Sequence, residues 1–161
     1  IKEVTLKITE QEGKKPEGWL GPWISESLVT PDLLHENGYT YLLDWCHDDQ
    51  PTWMKTRSGG LLSIPYPQEL NDIPAIMIRN TSGKEFSQMI IDNFDEMLYQ
   101  SKYQPLVMGI ALHAYIIGQP FRLKHLRTAL QYIMSHQRKI WITTSGKIAS
   151  HAIKQVPKSW P

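Results

Sequence analysis

From residue 84 onward the sequence switches repeatedly between two apolar rhythms, and this limits the folds open to it more than any other feature. Over residues 84–102, Phe86, Met89, Ile90, Phe94, Met97 and Leu98 recur at intervals of three and four, the spacing of one helical face. Residues 107–112 are a short, almost wholly apolar run between Gln104-Pro105 and His113, which reads as a buried strand. Residues 121–138 return to helical spacing, with Leu123, Leu126, Leu130 and Ile133 on one side. Residues 139–143 (KIWIT) read as a last strand, and 145–153 as a last helix capped by Ser145. Strands separated by helix-length segments predict an α/β fold, a mostly parallel sheet with helical crossovers.

The first half is less regular. Residues 1–12 fit both periods: Val4, Leu6 and Ile8 alternate, while Ile1, Val4 and Ile8 share a helical face, and Gly13 ends either element. Residues 14–23 (KKPEGWLGPW) read as a short strand opening into a loop. Thr30 as N-cap, Pro31 at the first helical position and Asp32 in the first turn start a short helix that stops at Asn37-Gly38. Residues 39–45 (YTYLLDW) form a β-prone run ending in an acid. Residues 47–83, with prolines at 51, 65, 67 and 74, read as irregular, with strand pieces at 61–66 and 75–78. So long a loop inside a compact domain is expected to be functional. It follows Asp44-Trp45 at the end of a strand, the side on which α/β ligand sites form.

The 161 residues suit one domain with a real core. Lys and Arg number 17 against 16 Asp and Glu, a net charge of +1, which gives no electrostatic footprint for nucleic acid or an anionic membrane. No apolar stretch of about 18 residues is present to span a bilayer. Cys46 is the single cysteine, so no intrachain disulfide and no Cys-based zinc site can form, in keeping with a reducing, cytoplasmic location. The sequence opens at Ile1 without a signal peptide or initiator Met, as expected for a piece of a longer protein or a processed product. It has no GxSxG, P-loop or GxGxxG pattern, so serine-hydrolase and nucleotide-binding readings lack support.

Two strand ends carry the chemistry. His113 closes one and Asp44 another, and in a parallel sheet both could reach one pocket, the imidazole donating a proton to a leaving group and the carboxylate orienting it. Plainer readings stand beside these. His113 also fits a hydrogen-bonded core histidine, Asp48-Asp49 before Gln50-Pro51 fits ordinary turn chemistry, and His47 fits a solvated side chain. Asp44 follows two leucines, and a buried carboxylate there needs a partner. His35, His47, Asp48 and Asp49 match no metal-ligand spacing, and His125, His136 and His151 fall on helical segments near the surface. Trp19, Trp23, Trp45 and Trp53 suit either an aromatic core or a surface that stacks a planar ligand.

A series of short motifs in order adds a family. Gly18-Trp19-Leu20-Gly21-Pro22, Thr30-Pro31-Asp32-Leu33-Leu34 and Asp44-Trp45 with Asp48-Asp49-Gln50-Pro51 resemble the C-terminal half of the NodB-homology polysaccharide deacetylases. The resemblance runs on through Asn71-Asp72-Ile73-Pro74, Phe94-Asp95 and Ala111-Leu112-His113 with Ile117-Gly118-Gln119-Pro120, to Trp141-Ile142-Thr143-Thr144. It covers nearly the whole chain, is most specific at the Leu-His and Gly-Gln-Pro segment, and lies nearest the allantoinase-like branch.

This resemblance implies that residues 1–161 are a single domain, the C-terminal portion of a distorted (β/α)7-type barrel. It implies hydrolysis of a non-peptide C–N bond in an amide, a ureide or an N-acetylated sugar. In the family a divalent metal, usually zinc, activates water, an aspartate acts as base, and a histidine protonates the leaving nitrogen. His113, in Ile110-Ala111-Leu112-His113, matches that histidine, and Asp44 matches the carboxylate of the preceding motif. Trp19, Trp45, Asp48 and Asp49 are the substrate-binding candidates.

Two departures matter. The family's metal ligands, an aspartate and a His-x-x-x-His pair, belong to its N-terminal half, and this sequence has no His-x-x-x-His, so no metal ligand is assigned here. The arginine of the sugar deacetylases' Gly-Trp motif is also missing, with Trp19, Leu20 and Trp23 in its region, which argues against an acetylated sugar. About four strands cannot close a barrel, so the open edges call for the N-terminal half or a second copy of the chain. The alternative is a non-catalytic ligand-binding or structural chain without the metal-binding half.

Overall fold

Residues 1–12, which fit two periods, are helical in the computed structural model, which describes residues 1–155: α1 is Lys2–Glu12, ended by left-handed Gly13. Its single buried residue is polar. Thr5 shares a buried 2.8 Å hydrogen bond with the Tyr39 hydroxyl, while Val4, Leu6 and Ile8 are exposed. The described residues fall into two compact units, residues 1–65 with the segment from 143 onward, and residues 66–142.

The first unit is built on a four-stranded sheet. Its strands are β1 (Gly18–Trp19), β2 (Tyr41–Leu42), β3 (Thr52–Thr56) and β4 (Gly59–Ser63), in the order β1-β2-β4-β3. β1, β2 and β4 run parallel, with Gly18 opposite Tyr41 and Tyr41 opposite Leu62. β3 and β4 form an antiparallel hairpin. A Cβ at Gly18 would lie 2.0 Å from the Tyr41 ring, so the close approach of β1 to β2 requires glycine there. α2 (Thr30–Glu36) joins the two strands, and Val29, not Thr30, is its N-cap. Leu34, Tyr39, Leu42 and Leu61 pack together, with Trp19 and Met54 against them. Leu62 and Ile64 pack with Ala149 and Ala152 of α6 (Ser145–Gln155).

The second unit is helical. α3 (Gly83–Gln100) starts at a capping box, in which the Ser82 hydroxyl accepts from the Glu85 N–H and the Glu85 carboxylate accepts from the Ser82 N–H. It buries Phe86, Ile90 and Phe94, and α5 (Pro120–Ser135) buries Leu126 and Ala129 against the same cluster, joined by Ile116 and Ile117 of the one-turn helix α4 (Ala114–Ile117). The Ser87 hydroxyl donates to the His125 carbonyl at 2.7 Å, tying α3 to α5.

Alternation of strand and helix holds only in part. Residues 47–83 contain the β3–β4 hairpin, and 75–78 belong to a π-helical turn, Ile73–Ile78, not a strand. Pro74 starts that turn with its ring-fixed φ, and the Asn71 side chain accepts from the Ile73 N–H. The apolar run 107–112 is extended but pairs at one point, a parallel bridge between Asn71 and Ala111. The segment beside it turns helical at Ile73, so the ladder has nothing further to follow. Residues 139–143 are not a strand either. A 3-10 turn, Gln137–Lys139, leads into them, and Trp141 and Ile142 are more than half exposed, so an apolar stretch that reads as core lies at the surface. No helix among the described residues is long and apolar enough to cross a membrane.

Candidate active site

His113 sits where the extended run meets α4, and its backbone is still β-like. The bridge between Asn71 and Ala111 brings residues 70–72 alongside 111–113: the Ala111 N–H donates to the Leu70 carbonyl at 2.9 Å, and the Asp72 N–H to the Ala111 carbonyl at 3.2 Å. Asp72 is fully buried and takes two bonds from His113. The backbone N–H donates to Oδ2 at 2.7 Å, and ring Nδ1 lies 2.6 Å from Oδ1. With Nδ1 as donor, Nε2 is left for other partners on a side chain that is 32% exposed. The Tyr115 ring meets the imidazole edge-on at 5.7 Å. A buried carboxylate, an oriented imidazole and a free outer nitrogen are the parts of a proton-transfer pair.

The remaining candidates belong to the first unit. Asp44 lies two residues beyond β2, 7% exposed, and its Oδ1 accepts from the Gly21 N–H at 2.6 Å. That bond holds a strained loop: Trp23 (φ 57°) and Ile24 (φ 48°) are both left-handed, a conformation that costs non-glycine residues about 1–2 kcal/mol each. The loop delivers Glu26 beside Asp44. Burial, then the hydrogen bond and charge of Asp44, push the Glu26 carboxyl up to about 7, against the smaller opposing effect of Trp45. Burial also raises Asp44, partly offset by the Gly21 N–H and Glu26.

Because both carboxyls are raised, the folded chain holds protons that the unfolded chain has already released. Their contribution to stability is therefore fully present below the ordinary carboxylate range and is lost as pH rises toward 7. Glu26→Gln should flatten that decline. Urea midpoints of wild type and variant at pH 4.5, 6 and 7.5 measure it, and parallel curves would show that the Glu26 carboxyl is not raised in the folded chain.

Trp19 packs edge-on against Tyr39 at 5.5 Å, and Trp53 packs against the Leu62 cluster, so both serve the core. Trp45 is exposed, edge-on to His47. Asp48 and Asp49 are exposed in the bend that follows, and His47 bonds the Thr52 hydroxyl. Asp72 and Glu26 are the two residues that sequence reasoning did not single out. Asp72 stood within the motif Asn71-Asp72-Ile73-Pro74 as one acid in a presumed loop, whereas Ser25-Glu26-Ser27 carries no pattern at all.

No protein-family model matches the chain. It is 26% identical to the peptidoglycan deacetylase of Helicobacter pylori, a match covering 98% of this chain and 64% of that protein. Among solved structures, Puue allantoinase superposes with a TM-score of 0.88 at 29% identity, over 98% of this chain and 52% of that one. A probable polysaccharide deacetylase from Pseudomonas aeruginosa PAO1 gives 0.86 at 30%, over 98% and 53%. The chain is thus similar to polysaccharide deacetylases and to an allantoinase, the superfamily that its motifs resemble. It spans about half the length of these solved superfamily chains and 64% of the curated relative. Among the described residues no three His, Cys, Asp or Glu side chains gather as a metal site.

Proposed function

We propose that this chain is the C-terminal, single-domain portion of a superfamily barrel that hydrolyses a non-peptide C–N bond, in an N-acetylated polysaccharide or a ureide. His113 serves as general acid. The observation that carries the reading is the Asp72–His113 pair, set on the segment where the superfamily resemblance is most specific. Asp72 accepts from Nδ1, fixing the ring's tautomer and direction. Nε2 then hands its proton to the departing nitrogen as the C–N bond breaks, and Asp72 faces the charge that the ring carries.

The superfamily's divalent metal, zinc in the resemblance, would activate water. Its ligands would come from the part of the relatives' length that this chain does not span, or from a partner copy. Trp45, Asp48 and Asp49, exposed just beyond Asp44 in the first unit, are the residues that would meet substrate there, while Trp19 packs against Tyr39. A ureide or simple amide suits the site better than an acetylated sugar, since Trp19, Leu20 and Trp23 stand where the sugar deacetylases carry an arginine. The exposed single cysteine, Cys46, fits a reducing cytoplasm.

The test is Asp72→Asn in the full-length protein, assayed for acetate release from N-acetylated glucosamine oligomers and for opening of a cyclic ureide. A carboxylate behind a working histidine is worth roughly 10–100-fold, so kcat should fall by about that factor with KM little changed. An unchanged kcat would remove the pair from the mechanism. Binding of both substrates with turnover of neither would favour the non-catalytic alternative.

A further inference from the structure

Beyond His113 the chain makes one tight turn, α4, for which the Asp72–His113 pair does not account. α4 buries Ile116 and Ile117, and this leaves Tyr115 on the outer side, 69% exposed. The phenol ring rests against the His113 imidazole, with ring centres 5.7 Å apart and planes at 66°. The turn is closely built. The Gly118 N–H donates to the Ala114 carbonyl at 3.1 Å, and a Cβ at Gly118 would lie 2.2 Å from that oxygen, so the closure requires glycine. The Gln119 side-chain amide reaches back to the Tyr115 carbonyl at 3.4 Å, and Pro120 starts α5. Gly118-Gln119-Pro120, to which proton transfer gives no role, therefore fixes the backbone that carries Tyr115.

We propose that Tyr115 is a specificity-determining residue for the leaving group: its ring is the surface on which the substituent of the departing nitrogen lies. This role rests on His113 acting as general acid. Asp72 occupies Nδ1, so a nitrogen that takes the proton must approach Nε2, on the exposed part of the imidazole. Hydrogen-bonded nitrogens lie about 3 Å apart, and the Tyr115 ring centre is 5.7 Å from the imidazole centre. A carbon skeleton attached to the departing nitrogen therefore meets the phenol ring. An alkyl or ring substituent covers aromatic surface that otherwise stays in water, whereas a bare amide NH2 covers none. The site accordingly selects amides whose nitrogen is substituted over primary amides, and it does so in binding more than in the chemical step.

The experiment is ligand-observed NMR titration of the full-length protein, as wild type, Tyr115→Phe and Tyr115→Ala, with acetamide and with N-benzylacetamide. Tyr115→Ala should bind N-benzylacetamide about tenfold more weakly than wild type and acetamide within about twofold of it. Tyr115→Phe keeps the ring and should bind both ligands as wild type does. A tyrosine that only supports the histidine would weaken both ligands alike on removal. That result would overturn the proposal, as would N-benzylacetamide binding the wild type no more tightly than acetamide, or binding all three proteins equally. Circular dichroism checks that the variants fold. Turnover is not part of this readout, so failure of the hydrolase reading, seen in the kinetics of Asp72→Asn, is told apart from failure of the leaving-group contact.

Discussion

His113→Ala in the full-length protein is expected to lower turnover by about 10²- to 10⁴-fold, the usual worth of a positioned general acid. In activation free energy that is about 3 to 5.5 kcal/mol. Substrate binding should change far less, because the imidazole is used only as the leaving nitrogen gains its proton. The fold should survive. The side chain is 32% exposed, and Asp72 keeps its second bond, from the backbone N–H of residue 113, whatever the side chain. Pre-steady-state kinetics separate the chemical step from binding, and circular dichroism checks the fold. Combining His113→Ala with Asp72→Asn should cost little more than His113→Ala alone, because the carboxylate acts through the ring. Independent, multiplying losses would mean that Asp72 has a role apart from His113.

The second large effect concerns stability. Phe86 is fully buried at the centre of the cluster that joins α3 to α5 and to Ile116 and Ile117. Phe86→Ala should cost about 3–5 kcal/mol, the lost transfer of the ring plus the cavity it leaves. Against a typical total of about 5–15 kcal/mol, that is enough to unfold much of a marginal domain at room temperature. Phe86→Leu, which refills most of the space, should cost markedly less. Urea denaturation followed by circular dichroism measures both. Equal and small losses would show that the α3–α5 interface is looser than its burial implies.

What was legible in the sequence follows from where the determinants lie. α3 and α5 declare themselves because their period, the Ser82–Glu85 capping box and Pro120 are all local. The β3–β4 hairpin hides among prolines; its signal was Arg57-Ser58 followed by Gly59, which adopts φ 147°. Residues 107–112 and 139–143 carry strand-like composition, but composition does not say whether a neighbour exists. The first finds a single bridge, and the second lies at the surface. His113 was visible as an imidazole after an apolar run. Its partner was not, since Asp72 stands 41 positions away and reaches it only through that bridge. Glu26 was hidden for a similar reason: its meaning depends on a turn through two left-handed residues that no periodicity announces.

The grip of Asp72 on His113 also has a bearing on how the chain assembles. Both bonds span the stretch that contains all of α3, so neither can form until that helix has folded back and the segments at 71 and 111 lie side by side. Closing so long a loop is slow relative to forming a helix. The pair therefore comes late, reached only by molecules in which the segments at 71 and 111 have met. A partly folded chain would carry every residue of the pair and none of its geometry.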